Sequence, residues 1–120
     1  RYSKTVDELF TDYSRPQEYG NLHGVRNAFL SNGEGHGIEI IATPDTPLNV
    51  SVRRYPHQML EAVKYSYQLP PSDDVFLNID HRVMGVGVNT SWGSNARPLP
   101  QYMLLAKPMT YKFIIRARTK

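Results

Sequence analysis

Nine prolines and eight glycines are scattered through 120 residues, and this punctuation restricts the chain more than any other feature of its sequence. Proline fixes φ and removes a backbone donor, so it ends helices and is kept out of central strands; glycine marks turns. What remains between the breaks is short. Residues 22–31, Leu-His-Gly-Val-Arg-Asn-Ala-Phe-Leu-Ser, form a first strand candidate. Asn32-Gly33-Glu34-Gly35 is a turn signal, and Gly37–Thr43 follows with Ile38 and Ile40 on one face, which predicts a hairpin. Leu48, Val50 and Val52 alternate with Asn49, Ser51 and Arg53 as a half-buried strand would. A further strand is expected over 75–82, where Val75, Leu77 and Ile79 alternate with Asn78 and Asp80. The last is expected over 109–116, with Tyr111, Phe113 and Ile115 facing one way.

One helix interrupts this rhythm. Pro56 suits a first helical turn, and His57–Tyr67 is built of good helix formers. Leu60, Val63 and Tyr67 fall on one core-facing stripe, with Glu61 and Lys64 on the surface, until Leu69-Pro-Pro71 stops the run. Several strands, a single short helix and no strand–helix–strand alternation predict a mainly all-β, antiparallel sandwich over 1–120 with no internal boundary.

Composition removes several functional classes. Apolar residues make up 40% and charged residues 21%, with no low-complexity tract, so the chain has the means to order itself. No apolar run nears the roughly 20 residues a membrane span needs, and no membrane partner is expected. There is no cysteine, which excludes disulfides and thiolate metal sites but leaves a cytoplasmic or a periplasmic setting open. The net charge of +3 comes from dispersed basic residues, apart from Arg53-Arg54 and the tail Arg116-Ala-Arg118-Thr-Lys120. A nucleic-acid footprint would gather them on one face, so no nucleic-acid partner is expected and the tail reads as a solvated end. The first residues, from Arg1, carry charge but no apolar core, unlike a signal peptide; with no starting Met they fit a chain cut from something longer.

The chemistry-bearing side chains are few. Asp73-Asp74 reads as a solvated turn, Glu18 as an acid capping backbone N–H groups, and Asp80 as an anchor for the loop after it. His23, His36, His57 and His81 are far apart, match no ligand spacing and read as surface or turn residues. Met84-Gly-Val-Gly87 lacks the further glycine and the helix of a phosphate loop. Trp92, the only tryptophan, sits in a Gly/Asn/Ser/Pro-rich stretch over 84–100. It could lie under the sheets as core, or face outward as a platform on which a sugar stacks its apolar C–H face.

Residues 76–94, Phe-Leu-Asn-Ile-Asp-His-Arg-Val-Met-Gly-Val-Gly-Val-Asn-Thr-Ser-Trp-Gly-Ser, resemble the Leu-Asn-Ile-Asp, Met-Gly-Val-Gly and Ser-Trp run in the last domain of glycoside hydrolase family 2 β-galactosidases. Upstream, Tyr13-Ser-Arg-Pro-Gln-Glu-Tyr-Gly-Asn21 and Gly24-Val-Arg26 look like the same domain, the small-chain domain of two-chain members. Downstream, Pro100-Gln-Tyr-Met-Leu-Leu-Ala-Lys107 and Tyr111-Lys-Phe113 fit its final strands, so the similarity spans nearly the whole chain in order. One departure is local: Val88 and Asn89 stand where the family usually has glycine and often aspartate.

The resemblance implies a supersandwich of the galactose-mutarotase-like type, of which this chain is the later part, since the family's earlier Gly-Pro-x-Glu-x-Tyr-type segment is absent. Apolar sheet edges should be exposed where the rest would pack. It implies that Trp92 binds substrate as a platform for the aglycone of a β-galactoside such as lactose. The two carboxylates of a retaining hydrolase would lie in a central TIM barrel, too large for 120 residues, so no catalytic residue is expected here. It places Mg2+, with Na+ as an open second ion, in the parent enzyme rather than in this chain. The implied partners are the remainder of the polypeptide and the β-galactoside, with homo-oligomer formation left open. The competing reading is a free-standing, non-catalytic carbohydrate-binding β-domain, with Trp92 and tyrosines such as Tyr102 as its platform.

Overall fold

The computed structural model describes residues 2–85 and 96–119. In chain order these form β1 (Leu22–Val25), β2 (Asn27–Ser31), β3 (Gly37–Ala42), β4 (Leu48–Arg53), α1 (His57–Ala62), β5 (Phe76–Asp80) and β6 (Phe113–Arg118). Every pairing is antiparallel, giving one sheet in the order β1-β4-β5 and another in the order β2-β3-β6. Ile40 of β3 and Leu48 and Val50 of β4 are the buried centre between them. Val25, Val52, Leu77 and Ile79 of the first sheet, and Ala28, Ile38, Ala42 and Phe113 of the second, pack around that centre. The expected antiparallel, all-β sandwich is present.

The run 22–31, expected as one strand, is instead two strands in different sheets. Leu22 pairs with Val50 and Val25 with Leu48, with a bulge between them. Gly24 lies there at φ +68°, a conformation that side chains resist and that glycine adopts without cost. The chain turns at this bulge, and β2 pairs with β3 from Asn27↔Ile41 to Ser31↔Gly37. The hairpin turn follows its expected chemistry: Asn32 Oδ1 accepts the N–H groups of Glu34 and His36, both at 3.0 Å, and Gly35 has φ +87°. Between β3 and β4 the chain crosses back to the first sheet. The two crossings are tied together where the Ala42 N–H donates to the Arg26 carbonyl at 2.9 Å.

Three further expectations need correction. β4 is buried on both faces: Asn49, Ser51 and Arg53 are as enclosed as Leu48 and Val50. As the central strand of its sheet it has neighbours on both sides, and its polar side chains find partners there instead of water. The helix ends at Ala62, not at Tyr67; Val63 is extended, and a separate 3-10 turn spans Ser66–Gln68. Gln68 explains the break, because its Oε1 accepts the Lys64 and Tyr65 N–H groups that a continuing helix would have used. Leu60 is buried as expected, whereas Tyr67 is 80% exposed and is no part of a core stripe. The basic tail is not a solvated end either. Arg116 and Arg118 belong to β6, and Arg116 donates to Glu39 at 2.7 Å.

Among the described residues β6 pairs with β3 along one side only, with Ile115 opposite Ile40. Residues directly opposite in an antiparallel pair share a face, so Ile115 points inward, yet it is 56% exposed. Ile114, on the outer face, is exposed as well. Apolar sheet edges are thus uncovered, as expected. A cavity of about 800 Å³ also opens between the sheets, lined among others by Leu22, Val25, Leu30, Val52 and Leu77. The radius of gyration is 16.6 Å, against about 13.6 Å for a compact domain of this length.

Candidate functional site at the root of the tryptophan segment

Trp92, with Val88 and Asn89, lies outside the described residues. The residues that lead to it are described, and several elements converge on them. β5 delivers the chain to His81. From β4, the central strand, the buried Asn49 donates through Nδ2 to the His81 carbonyl at 3.1 Å. Its Oδ1 then faces His23 Nδ1 at 2.7 Å. An amide oxygen only accepts, so the proton sits on His23 Nδ1. From the last strand's approach, Tyr111 stacks on the His81 ring at 5.3 Å and 9°, and its hydroxyl donates to the Ile79 carbonyl at 2.8 Å. Tyr111 in turn stacks on Phe113, which packs against the buried core. Farther along, the Leu104 N–H donates to Met84 Sδ at 3.4 Å. Residues 79–84 are thereby held by β4, by Tyr111 just before β6 and by the irregular stretch that contains Leu104. Asp80, expected to be the anchor, is exposed, and the anchoring passes through its neighbours instead.

A second polar cluster lies at the other end of β4. Glu18 Oε1 sits 3.1 Å from Arg53 Nη1 and 3.2 Å from Nη2, and 3.7 Å from His57 Nδ1. His57 Nε2 is 3.0 Å from Glu61 Oε1. These acids and His57, with Arg15, Pro16 and Gln17, line an open cavity of about 530 Å³. The Arg53 side chain is 4% exposed and Ser51 Oγ accepts from it, so the guanidinium is a buried charge whose counter-ion is Glu18. The expected structural role of Glu18 stands, but its partners are side chains rather than backbone N–H groups. A glycosidase nucleophile must face its sugar; the Glu18 oxygen facing this cluster is already shared between Arg53 and His57.

Two further acids are engaged by arginines of this chain. Glu39, buried on the outer face of β3, accepts from Asn27 at 2.6 Å and from Arg116. The Asn27 amide, then the Arg116 guanidinium, hold its carboxyl below the usual range. Arg54 holds Asp7 down in the same way through a two-point contact at 2.8 and 3.1 Å. Asp73 and Asp74 lie in an exposed loop, as expected. Of the histidines, His23, His36 and His57 are exposed and His81 is half-buried. Among the described residues no group of three His, Asp or Glu side chains could hold a metal ion, and no helix is long and apolar enough to cross a membrane. Tyr102 is exposed in a 3-10 turn, Pro100–Tyr102.

Sequence reading alone missed Asn49, Arg53 and Tyr111. The first two sat in polar positions of an alternating strand, where period-two patterning assigns solvent. Tyr111 was placed with the core face of a strand that begins two residues later.

Comparison with known proteins fits this geometry to a family. The family model described as beta galactosidase small chain matches residues 1–115. A beta-galactosidase from Priestia megaterium is 40% identical over 85% of this chain, and one from Vibrio cholerae is 33% identical over 98% of it. Bifidobacterium adolescentis has a similar protein, beta-galactosidase BgaC, 33% identical over 88% of the chain. In each case the chain spans about a tenth of the relative's length. With a match over nearly its whole length, an antiparallel sandwich and an anchored segment before Trp92, this chain belongs to the beta-galactosidase small-chain family.

Proposed function

We propose that the chain is the later part of the last domain of a retaining family 2 β-galactosidase and lends Trp92 to the aglycone side of the substrate site. The family match over 1–115 carries this reading, because the relatives it joins are named beta-galactosidases and are about ten times longer. Retaining hydrolysis needs two carboxylates about 5–5.5 Å apart, each free to meet the sugar. Glu18, Glu39 and Asp7 are instead engaged with arginines of this chain, which supports catalytic carboxylates in another domain. Under the same reading Mg2+, with Na+ as an open second ion, belongs to those other domains. The exposed apolar edge at Ile114 and Ile115 suits contact with the rest of a longer polypeptide or a second subunit.

A pyranose presents an apolar C–H face that an indole ring covers, and such a contact discriminates between leaving groups more than it assists bond breaking. In the complete enzyme, Trp92→Ala should cost about 5- to 150-fold in kcat/KM for lactose, equivalent to about 1–3 kcal/mol. A nitrophenyl galactoside, whose leaving group departs readily, should lose less. Equal losses on both substrates, or a large fall in Tm, would instead make Trp92 a core residue.

A further inference from the structure

We propose that Tyr65 and Tyr67 form a platform for a terminal β-galactoside, held through the apolar C–H face of its ring. The proposed function enters only in the choice of sugar, which follows the relatives named beta-galactosidases. The two tyrosine rings are parallel, with centroids 5.5 Å apart and planes 10° from each other. Among the described residues this is the one aromatic pair in which both rings are exposed. Phe10 meets the buried Tyr19, and Tyr111 meets the half-buried His81 and Phe113. Lys64 Nζ lies over the Tyr65 ring at 5.3 Å. Tyr67 is 80% exposed although one of its faces meets Tyr65, so its other face is bare.

The turn that carries the pair is fixed before any ligand arrives. Gln68 Oε1 accepts the Lys64 and Tyr65 N–H groups at 3.0 and 2.9 Å, and the Gln68 N–H donates to the Tyr65 carbonyl at 3.1 Å. The Leu69 N–H donates to the Ser66 carbonyl at 3.0 Å, and Pro70 and Pro71 follow with φ already set. Aromatic side chains on a fixed backbone lose little freedom on binding, which favours a contact surface. Size then selects the occupant. Two tyrosines offer at most about 500 Å², and one bare ring face offers far less, whereas a specific protein partner covers about 800 Å². A single pyranose fits. The axial hydroxyl of galactose leaves three neighbouring C–H groups on one face, which match a phenol ring. Its hydroxyls stay at the rim, where the exposed Lys64 and Gln68 flank the tyrosines.

Saturation-transfer NMR on the 120-residue chain, with methyl β-D-galactopyranoside as the probe, tests the platform. Irradiation of aromatic protons should reach those three C–H groups most strongly, with a Kd of about 1–10 mM for one shallow stacking contact. Tyr67→Ala should weaken binding about three- to tenfold, and Tyr67→Phe, which keeps the ring, by less than about twofold. The signal should persist in Trp92→Ala and in Tyr102→Ala, whether or not Trp92 meets an aglycone. No transfer, or transfer spread evenly round the sugar, would overturn the platform. So would a signal kept in Tyr67→Ala and lost in Trp92→Ala or Tyr102→Ala, which would place the sugar on those rings. In the complete polypeptide, Tyr67→Ala should leave the Tm unchanged, as substitution of an exposed side chain does. A fall of several degrees would mean that another domain covers the ring, and the platform would fall with it.

Discussion

Removing Glu18 while leaving Arg53 in place should destabilise the chain, and removing both should restore much of the loss. The Arg53 side chain is 4% exposed, whereas that of Glu18 is 59% exposed, so the pair straddles the boundary between interior and solvent. At 3.1 Å the charges attract by about 1.3 kcal/mol if water screens them fully, and by about 5 kcal/mol at an effective dielectric constant near 20. The exposed carboxylate places the pair nearer the first limit, and its own hydration is partly kept. Glu18→Gln should therefore cost about 1–2 kcal/mol, most of it the uncompensated charge of Arg53. Arg53→Met keeps the length and apolar volume of the side chain and removes that charge. The double substitution should be less destabilising than the sum of the single ones, with a coupling of about 1 kcal/mol. Urea unfolding of the four proteins, with a common slope, gives the coupling directly. Additive costs would show that Glu18 does not neutralise Arg53, and the account of Arg53 as a buried charge countered by Glu18 would fall with it.

Leu48→Ala should cost about 2–5 kcal/mol in the same assay, since Leu48 is fully buried at the centre of the core, while Ile115→Ala should cost under about 1 kcal/mol because that side chain is half in solvent. Equal costs would mean that the edge at β6 is covered after all. Acid should also weaken the fold. Glu39 lies below its ordinary value of 4.5 when folded, so its contribution is complete above that value and is lost as pH falls through and below it. The urea midpoint should decline from neutral pH towards about pH 3. Glu39→Gln should flatten that decline; an unaltered slope would contradict the assignment.

Local chemistry made several elements readable in advance. Asn32 to Gly35 dictated a turn because an Asn side chain caps the loop and Gly35 takes a positive φ, so the β2–β3 hairpin follows from four residues. Leu48 and Val50 announced their burial by alternation alone. What stayed hidden depended on neighbours that no single window contains. Nothing within 22–31 states that Gly24 begins a corner between sheets, because a glycine in a strand pattern reads equally well as a mere weakness. The helix looked longer than it is because Val63, Tyr65 and Tyr67 are compatible with a helix, and only Gln68 folding back decides against it. For the candidate site, periodicity offered nothing about Trp92. Its assignment came from family resemblance, and the residues that hold 79–84 came from the structure.

The buried polar side chains of β4 also explain how one strand can serve two ends of the domain. Asn49 faces the turn at His81, Ser51 accepts from both Asn78 and Arg53, and Arg53 reaches Glu18 in the segment before β1. These three residues alternate along one face of a central strand, so they form a single row from the root of the Trp92 segment to the Glu18–His57–Glu61 cluster. Hydrophobic residues in the same row would bury as well, but they would fix neither the chain before β1 nor the carbonyl at His81. Directional bonds do, because each donor accepts only one angular range of partner. The opposite face of β4, with Leu48 and Val50, supplies burial without direction. One face of this strand therefore holds the two sheets together, and the other sets where the flanking segments begin. A substitution on the polar face should disturb those segments before it disturbs the sandwich.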